Sequence, residues 1–441
     1  MGVVNKFMNI ILLSGGSGKR LWPISNDVRS KQFIKLFKDD HGNYESMVQR
    51  VYRQIKTVAP NTSITIATSV AQLSSIHNQL GSNVPVCIEP CRRDTCPAIL
   101  LAAAYLHDVL HVSEEETVVV CPVDPYVENS YYEAVIELDE YVQNNTANLT
   151  LMGIEPTVPS DKYGYIIPES NAAVSKVKEF KEKPDTETAK QYIAVGALWN
   201  AGVFAFKLGY LLAKAHQIVD FVDYKDLFTK YATLEKISFD YAVVEKEKSI
   251  QVTRYAGEWK DVGTWNMMSE VMSDASKGNV TLDDTCNNTH VINELEIPVL
   301  CMGCKNMVVA ASSDGIFVAD KERSGSMKNY VEKISTDIRY AEKSWGTYNV
   351  IDAQTGAVTI KVSLDAGKGM SYHCHDFRDE VWNVLSGEGI VTVDGMEQIV
   401  KAGDVVTIAA GCKHTIKAVT DMQLIEVQIG SVISVEDKTV F

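Results

Sequence analysis

Two groups of residues in this chain have types and spacing that could do chemistry. The first is Ser14-Gly15-Gly16-Ser17-Gly18-Lys19-Arg20-Leu21-Trp22-Pro23, which follows the short apolar run Asn9 to Leu13. Glycines let backbone N–H groups approach a phosphate closely, and Lys19 and Arg20 supply positive charge beside them. Spacing excludes two common phosphate motifs. A P-loop needs Ser or Thr where Arg20 stands and Gly where Leu13 stands, and a dinucleotide fingerprint starting at Gly16 needs Gly at Leu21. A glycine-rich turn after a first strand needs no ligand, so the loop alone does not decide. The second group is His373, His375, Glu380 and His414. Alternation along a strand puts His373 and His375 on one face, with Glu380 and His414 arriving from neighbouring strands. Three imidazoles and a carboxylate form a donor set for a divalent transition metal, and zinc is the first expectation.

The opening loop, extended by Lys31-Gln32-Phe33, resembles the sugar-phosphate nucleotidyltransferases, and more narrowly their mannose-1-phosphate guanylyltransferase branch. Further matches follow in the family's order: Glu89-Pro90 with Arg93-Asp94-Thr95-Cys96-Pro97-Ala98, Pro122-Val123-Asp124, Tyr163-Gly164-Tyr165-Ile166, Glu182-Lys183-Pro184, Trp199-Asn200-Ala201-Gly202, Asp240-Tyr241-Ala242, and Trp259 to Trp265. The reaction so implied is an in-line attack by α-D-mannose 1-phosphate on the α-phosphorus of GTP, giving GDP-mannose and diphosphate. Two anions must meet, so catalysis is mainly positioning and charge neutralisation. The resemblance implies that Gly15, Gly16 and Gly18 place amides on the nucleotide, and that Arg20 and Lys31 hold the triphosphate. It implies Asp124 and Asp261 as Mg²⁺ ligands, a hard cation suiting carboxylate oxygens. Arg93, Asp94 and Thr95 would lie near the nucleoside, while Gly164, Glu182, Lys183 and Asn200 would meet the sugar phosphate. Three neighbours depart from the family: Pro125 for His, Lys162 for Thr and Ser30 for Pro. None removes a phosphate or metal ligand, but they bear on the shape of the sugar pocket.

The histidine group resembles a cupin, and Trp345-Gly346-Thr347-Tyr348, the Glu380/Trp382 pair and Ile425 to Gly430 resemble the isomerase domain that bifunctional relatives carry. That domain interconverts mannose 6-phosphate and fructose 6-phosphate with a bound metal. Here Ser371 replaces the family's Gln, the gap between His375 and Glu380 is longer, and no basic, Arg-bearing tail precedes Phe441. The expectation is therefore a bound metal with weak or absent isomerase activity.

The elements that must hold these residues are also readable. With 441 residues, at about 150 per domain, roughly three domains are expected. Apolar β-rich runs at 9–13, 63–67, 86–89, 117–121, 149–154, 201–207 and 250–254 alternate with helical patterns at 98–110 and 131–144, as in an α/β domain with a mostly parallel sheet over 1–275. Short β segments between Asn, Asp and Gly turns predict a β-helix-like connector over 276–335. A charged stretch, Met327 to Tyr340, reads as a helical linker. Strands at 358–362, 380–386, 390–393, 405–408, 415–418 and 423–428 predict an all-β cupin barrel over 336–441.

Composition narrows the function classes. Hydrophobic residues at 46% and charged residues at 22% exclude a disordered or fibrous chain, and a net charge of −15 argues against nucleic acid or anionic membrane as partners. The nine cysteines have no zinc-like pairing and are expected as thiols, and the apolar run Met8 to Leu13 is too short for a signal core or a membrane span. A cytoplasmic enzyme is expected, with GTP and a sugar 1-phosphate as partners. A homo-oligomer is compatible with open barrel edges. The rival readings are a bifunctional isomerase, a transferase for another sugar 1-phosphate, and a silent sugar-nucleotide sensor.

Overall fold

The computed structural model describes residues 8–16, 19–26, 28–144, 147–334, 338–434 and 437–441. The chain divides into two compact units, one formed by residues up to Gly16 with Gln32–Gly263, the other by residues 17–31 with Thr264–Phe441.

The first unit is built on a nine-stranded sheet. Its parallel half pairs Asn9–Leu13 with Ser63–Ser69 and with Thr117–Pro122, and Ser63–Ser69 with Val86–Glu89. Strands Val174–Lys181 and Leu198–Lys207 run against their neighbours, while Leu149–Ile154 and Ile250–Tyr255 are again parallel to each other. The β-branched run Thr117–Pro122 is buried almost throughout because helices cover the sheet. One of them, Thr95–Asp108, is apolar on nearly every face and packs into the largest core cluster, beside Ile11, Val118 and Phe206.

In the second unit, short strands stack in parallel rungs: Ser276–Lys277 on Val291–Ile292, Val280–Leu282 on Val299–Cys301, and His290–Asn293 on Val308–Ala311. A small core of Val291, Cys301 and Val309 fills the space they enclose. Beyond it lie a six-stranded and a five-stranded sheet. Both face one shared core, since Val362, Trp382 and Leu424 from the first pack with Val391, Val400 and Ile416 from the second.

The helical linker expected over 327–340 does not form as such. Among the described residues there, only Lys328–Val331 is helical, and Tyr340 already pairs with Asn349 in an antiparallel strand. Charged residues favour helix only weakly, and strand pairing with Gly346–Gln354 outweighs that preference. No helix among the described residues is long and apolar enough to cross a membrane.

Candidate active site and candidate metal centre

In the first unit, a cavity of about 230 Å³ opens where the strands of the sheet end. Thr95, Asp124, Gly164, Glu182, Asn200 and Asp261 all line it. Asp124 follows the buried strand Thr117–Pro122, and Asp261 ends the short strand Trp259–Asp261. That strand pairs antiparallel with Pro125–Val127, in a register that sets Asp261 opposite Pro125 and so beside Asp124. Two carboxylates are thus brought to one wall of the cleft, a donor set that fits a hard cation completing its shell with water and phosphate oxygens.

The same cavity holds candidates for the sugar phosphate. Asn200 N donates to Gly164 O at 2.8 Å, and Asn200 Nδ2 donates to Asp240 Oδ1 at 2.7 Å. A Cβ on Gly164 would collide with Glu182 Oε2, so only glycine lets that carboxylate lie against the backbone. Glu182 is buried and forms a direct ion pair with Lys183. Burial opposes the Lys183 charge, yet Glu182 outweighs it and raises the pKa. For Asp240 the balance falls the other way: burial first, then the Glu182 charge, outweigh Lys183 and the Asn200 hydrogen bond and push its pKa up to about 7. Tyr163 packs against both Trp199 and Trp259, at ring distances of 4.8 and 5.4 Å, and Tyr163 and Trp259 give the cavity aromatic surface.

Around the glycine loop, Gln32 Nε2 donates to Ser14 O at 2.9 Å and Gln72 Nε2 to Gly16 O at 3.1 Å. A Cβ on Gly15 would come within 2.8 Å of Glu89 Oε1, a carboxylate whose pKa burial raises and whose other oxygen accepts from Tyr231 at 2.7 Å. Asp94 caps helix Thr95–Asp108 through Oδ1, 2.8 Å from Thr95 N, with a strained φ of 68°. Arg93 is turned onto the Ala232 carbonyl. Among the described residues, Arg93, Asp94, Gly15, Gly16 and Lys183 do not line the cavity. Gly18 lies outside the described residues, and Arg20 and Lys31 belong to the second unit. Asp240, Tyr163 and Trp259 are site residues to which the sequence reading gave no role. Their motif positions were visible, but their burial against Glu182 and Asp261 was not.

The second unit gathers the histidines. His373 and His414 face each other across paired strands, and the ligand atoms of His373, His375 and His414 lie within 4.8 Å of one another. His373 Nδ1 is 2.7 Å from Ser371 O, His414 Nδ1 is 2.9 Å from Cys412 O, and His375 Nδ1 bonds to Asp437 O. A carbonyl only accepts, so each Nδ1 carries a proton and each Nε2 is left facing the cluster. His414 Nε2 is buried, has no hydrogen-bond partner, and stands 3.4 Å from Glu380 Oε2. Burial pushes the His373 pKa down to about 3 and lowers that of His375. Glu380 is buried too, but its neighbours His414, Arg378 and His375 bring its pKa down to about 2. Imidazole nitrogens gathered around an ionised carboxylate fit a divalent transition metal. Arg378 shares this ground, its Nε 3.0 Å from Glu380 Oε1 and its Nη2 2.9 Å from His375 Nε2.

Comparison with known proteins places these sites in context. Residues 9–278 match the nucleotidyl transferase family and residues 332–441 the mannose-6-phosphate isomerase C-terminal family. A mannose-1-phosphate guanylyltransferase of Escherichia coli K12 is 29% identical over 97% of this chain and 96% of its own. The mannose-1-phosphate guanylyltransferase ManC of Salmonella typhimurium is 30% identical with the same coverage. Among solved structures, one from Thermus thermophilus described as a mannose-1-phosphate geranyltransferase is 27% identical, covers 74% of this chain and 99% of its own, and superposes with a TM-score of 0.61.

Proposed function

The chain belongs to the nucleotidyl transferase family, and from that premise we propose that it joins GTP and α-D-mannose 1-phosphate into GDP-mannose with release of diphosphate. It is an enzyme of GDP-mannose biosynthesis. The observation that carries the reading is the meeting of Asp124 and Asp261 with Glu182, Asn200 and Gly164 in one cleft.

In this reading Asp124 and Asp261 hold Mg²⁺, which when bound neutralises charge on the transferring phosphate. Glu182 accepts from sugar hydroxyls, and Lys183 exchanges part of its pairing with Glu182 for the sugar phosphate. Asn200 and the Gly164 backbone fix the ring, and the aromatic surface of Tyr163 and Trp259 keeps water from the reacting oxygens. Gly15, Gly16 and Gly18 present amides to GTP, Thr95 with Arg93 and Asp94 borders the nucleoside, and Arg20 and Lys31 hold the triphosphate and the departing diphosphate.

The three-part division 1–275, 276–335 and 336–441 and a cytoplasmic setting belong to the same proposal. His373, His375, Glu380 and His414 would hold the second metal, with zinc the first expectation. No isomerisation is assigned to that centre. Moving a proton between C1 and C2 needs a base, and gripping a 6-phosphate needs free cations, whereas Arg378 is engaged by Glu380. The test is diphosphate release from four nucleoside triphosphates against several sugar 1-phosphates. GTP with mannose 1-phosphate should give the highest kcat/KM, and a higher value for any other pair would overturn the specificity.

A further inference from the structure

Between Gly16 and Gln32 the chain leaves the unit that contains the cleft. Residues 19–26 and 28–31 are held instead by the parallel rungs and the strands that follow them. Trp22 O accepts from Trp265 Nε1 at 3.1 Å, and Pro23 O accepts from Ser312 Oγ at 2.7 Å. Asn26 Nδ2 donates to Asp314 Oδ2 at 2.7 Å and to Tyr340 O at 3.2 Å. Its own Oδ1 closes the turn by accepting from Val28 N and Arg29 N at 2.9 and 2.7 Å. The strongest tie is Arg29, whose Nη1 and Nη2 meet Glu294 Oε2 and Oε1 at 2.6 and 2.9 Å, with Tyr340 under the guanidinium at 5.2 Å. Arg29 is buried, with only 8% of its surface exposed.

A forked pair of this kind fixes direction as well as distance, and burial removes the water that would otherwise compete. The ties begin two residues after Arg20 and end two residues before Lys31. Arg20 sits in the short turn Lys19–Leu21, and Lys31 opens the turn Lys31–Phe33. Both proposed triphosphate cations therefore flank one anchored loop. Phosphoryl-type transfer depends mainly on where such cations stand, and a displacement of about 1 Å costs about 100-fold in rate.

We propose that Arg29 is a positioning residue for nucleotidyl transfer: through its buried fork with Glu294 it sets the loop that carries Arg20 and Lys31. This rests on the roles given above to those two cations. Glu294 itself touches no substrate in the scheme.

The experiment uses the full chain, with steady-state kinetics in GTP and in mannose 1-phosphate for Arg29→Ala, Arg29→Lys, Glu294→Gln and Lys31→Ala, each first checked for folding by circular dichroism. Arg29→Ala should lower kcat about 10- to 100-fold and raise KM for GTP, with KM for the sugar phosphate held within about two-fold. Arg29→Lys keeps the charge without the fork and should not rescue. Should Arg29→Ala fail to fold, the near-isosteric Glu294→Gln gives the same reading, with the same split between the two KM values. Folded variants with parental kinetics, or with equal changes in both KM values, would overturn the positioning role. If Lys31→Ala is impaired while the Arg29 and Glu294 variants behave normally, only this inference falls. If Lys31→Ala itself turns over GTP normally, the cation assignment falls and the inference with it.

Discussion

At the scale of single residues, the cleft is a place where charges are set against one another. Asp124→Asn or Asp261→Asn each removes a formal charge from the proposed Mg²⁺ site, and kcat should drop by at least about 100-fold without loss of fold, as read by diphosphate release and thermal unfolding. Near-normal turnover in both would sink the metal assignment. Lys183→Ala should act on the other substrate, raising KM for mannose 1-phosphate while leaving KM for GTP nearly unchanged. Asp240 makes a prediction in pH. Its carboxyl is raised from 3.8 to about 7, so between these values the folded chain binds more protons than the unfolded one. Stability from this group is therefore fully present below about pH 4 and is lost as pH rises through about 7. Asp240→Asn should flatten that part of the melting-temperature profile, and an unchanged slope in a pH series of thermal melts would refute it. That Asp124, Asp261, Glu182 and Asn200 would gather was legible because each sits in a short motif whose order could be matched, and all four line one cavity. Asp240 stood in such a motif as well, but its role depends on burial against Glu182, which no local pattern carries.

At the scale of elements, longer strands buried on both faces were legible because they read as unbroken apolar runs: Asn9–Leu13 and Leu149–Ile154 stand where the sequence put them, whereas the four-residue buried strand Tyr165–Pro168 was too short to stand out. Half-exposed strands were not. Val174–Lys181 alternates lysine and glutamate with its few buried positions and carries no comparable signal. Gly346–Gln354 is similarly polar, and the stretch before it resembles helix until its pairing partner is known. Helix Thr95–Asp108 shows the opposite case, apolar almost all round because it is packed on the sheet and against other helices. Leu101 is fully buried there, so Leu101→Ala should cost about 2–5 kcal/mol in chemical denaturation. Because the loss is one of packing, both KM values should stay near those of the parent, and a selective rise in one of them would contradict this.

At the scale of the whole molecule, a net charge of −15 means that two anionic substrates must be drawn by local cations rather than by the overall field. The purified full chain should carry about one divalent transition metal beyond any Mg²⁺, read by elemental analysis, and His373→Ala with His414→Ala should remove it. Stripping it with a chelator should lower the melting temperature, since a ligand bound only by the folded state stabilises that state. A metal-free preparation that melts no lower in chelator would dismiss the centre. The Arg29–Glu294 fork has a further consequence, in time. Its partners are 265 positions apart in sequence. A ribosome adding about 5–20 residues per second therefore needs roughly 13–50 s after making Arg29 before Glu294 exists. Residues 32–263 can bury their own core within that interval. The order of synthesis completes the unit that holds the cleft before the Arg29–Glu294 fork can close.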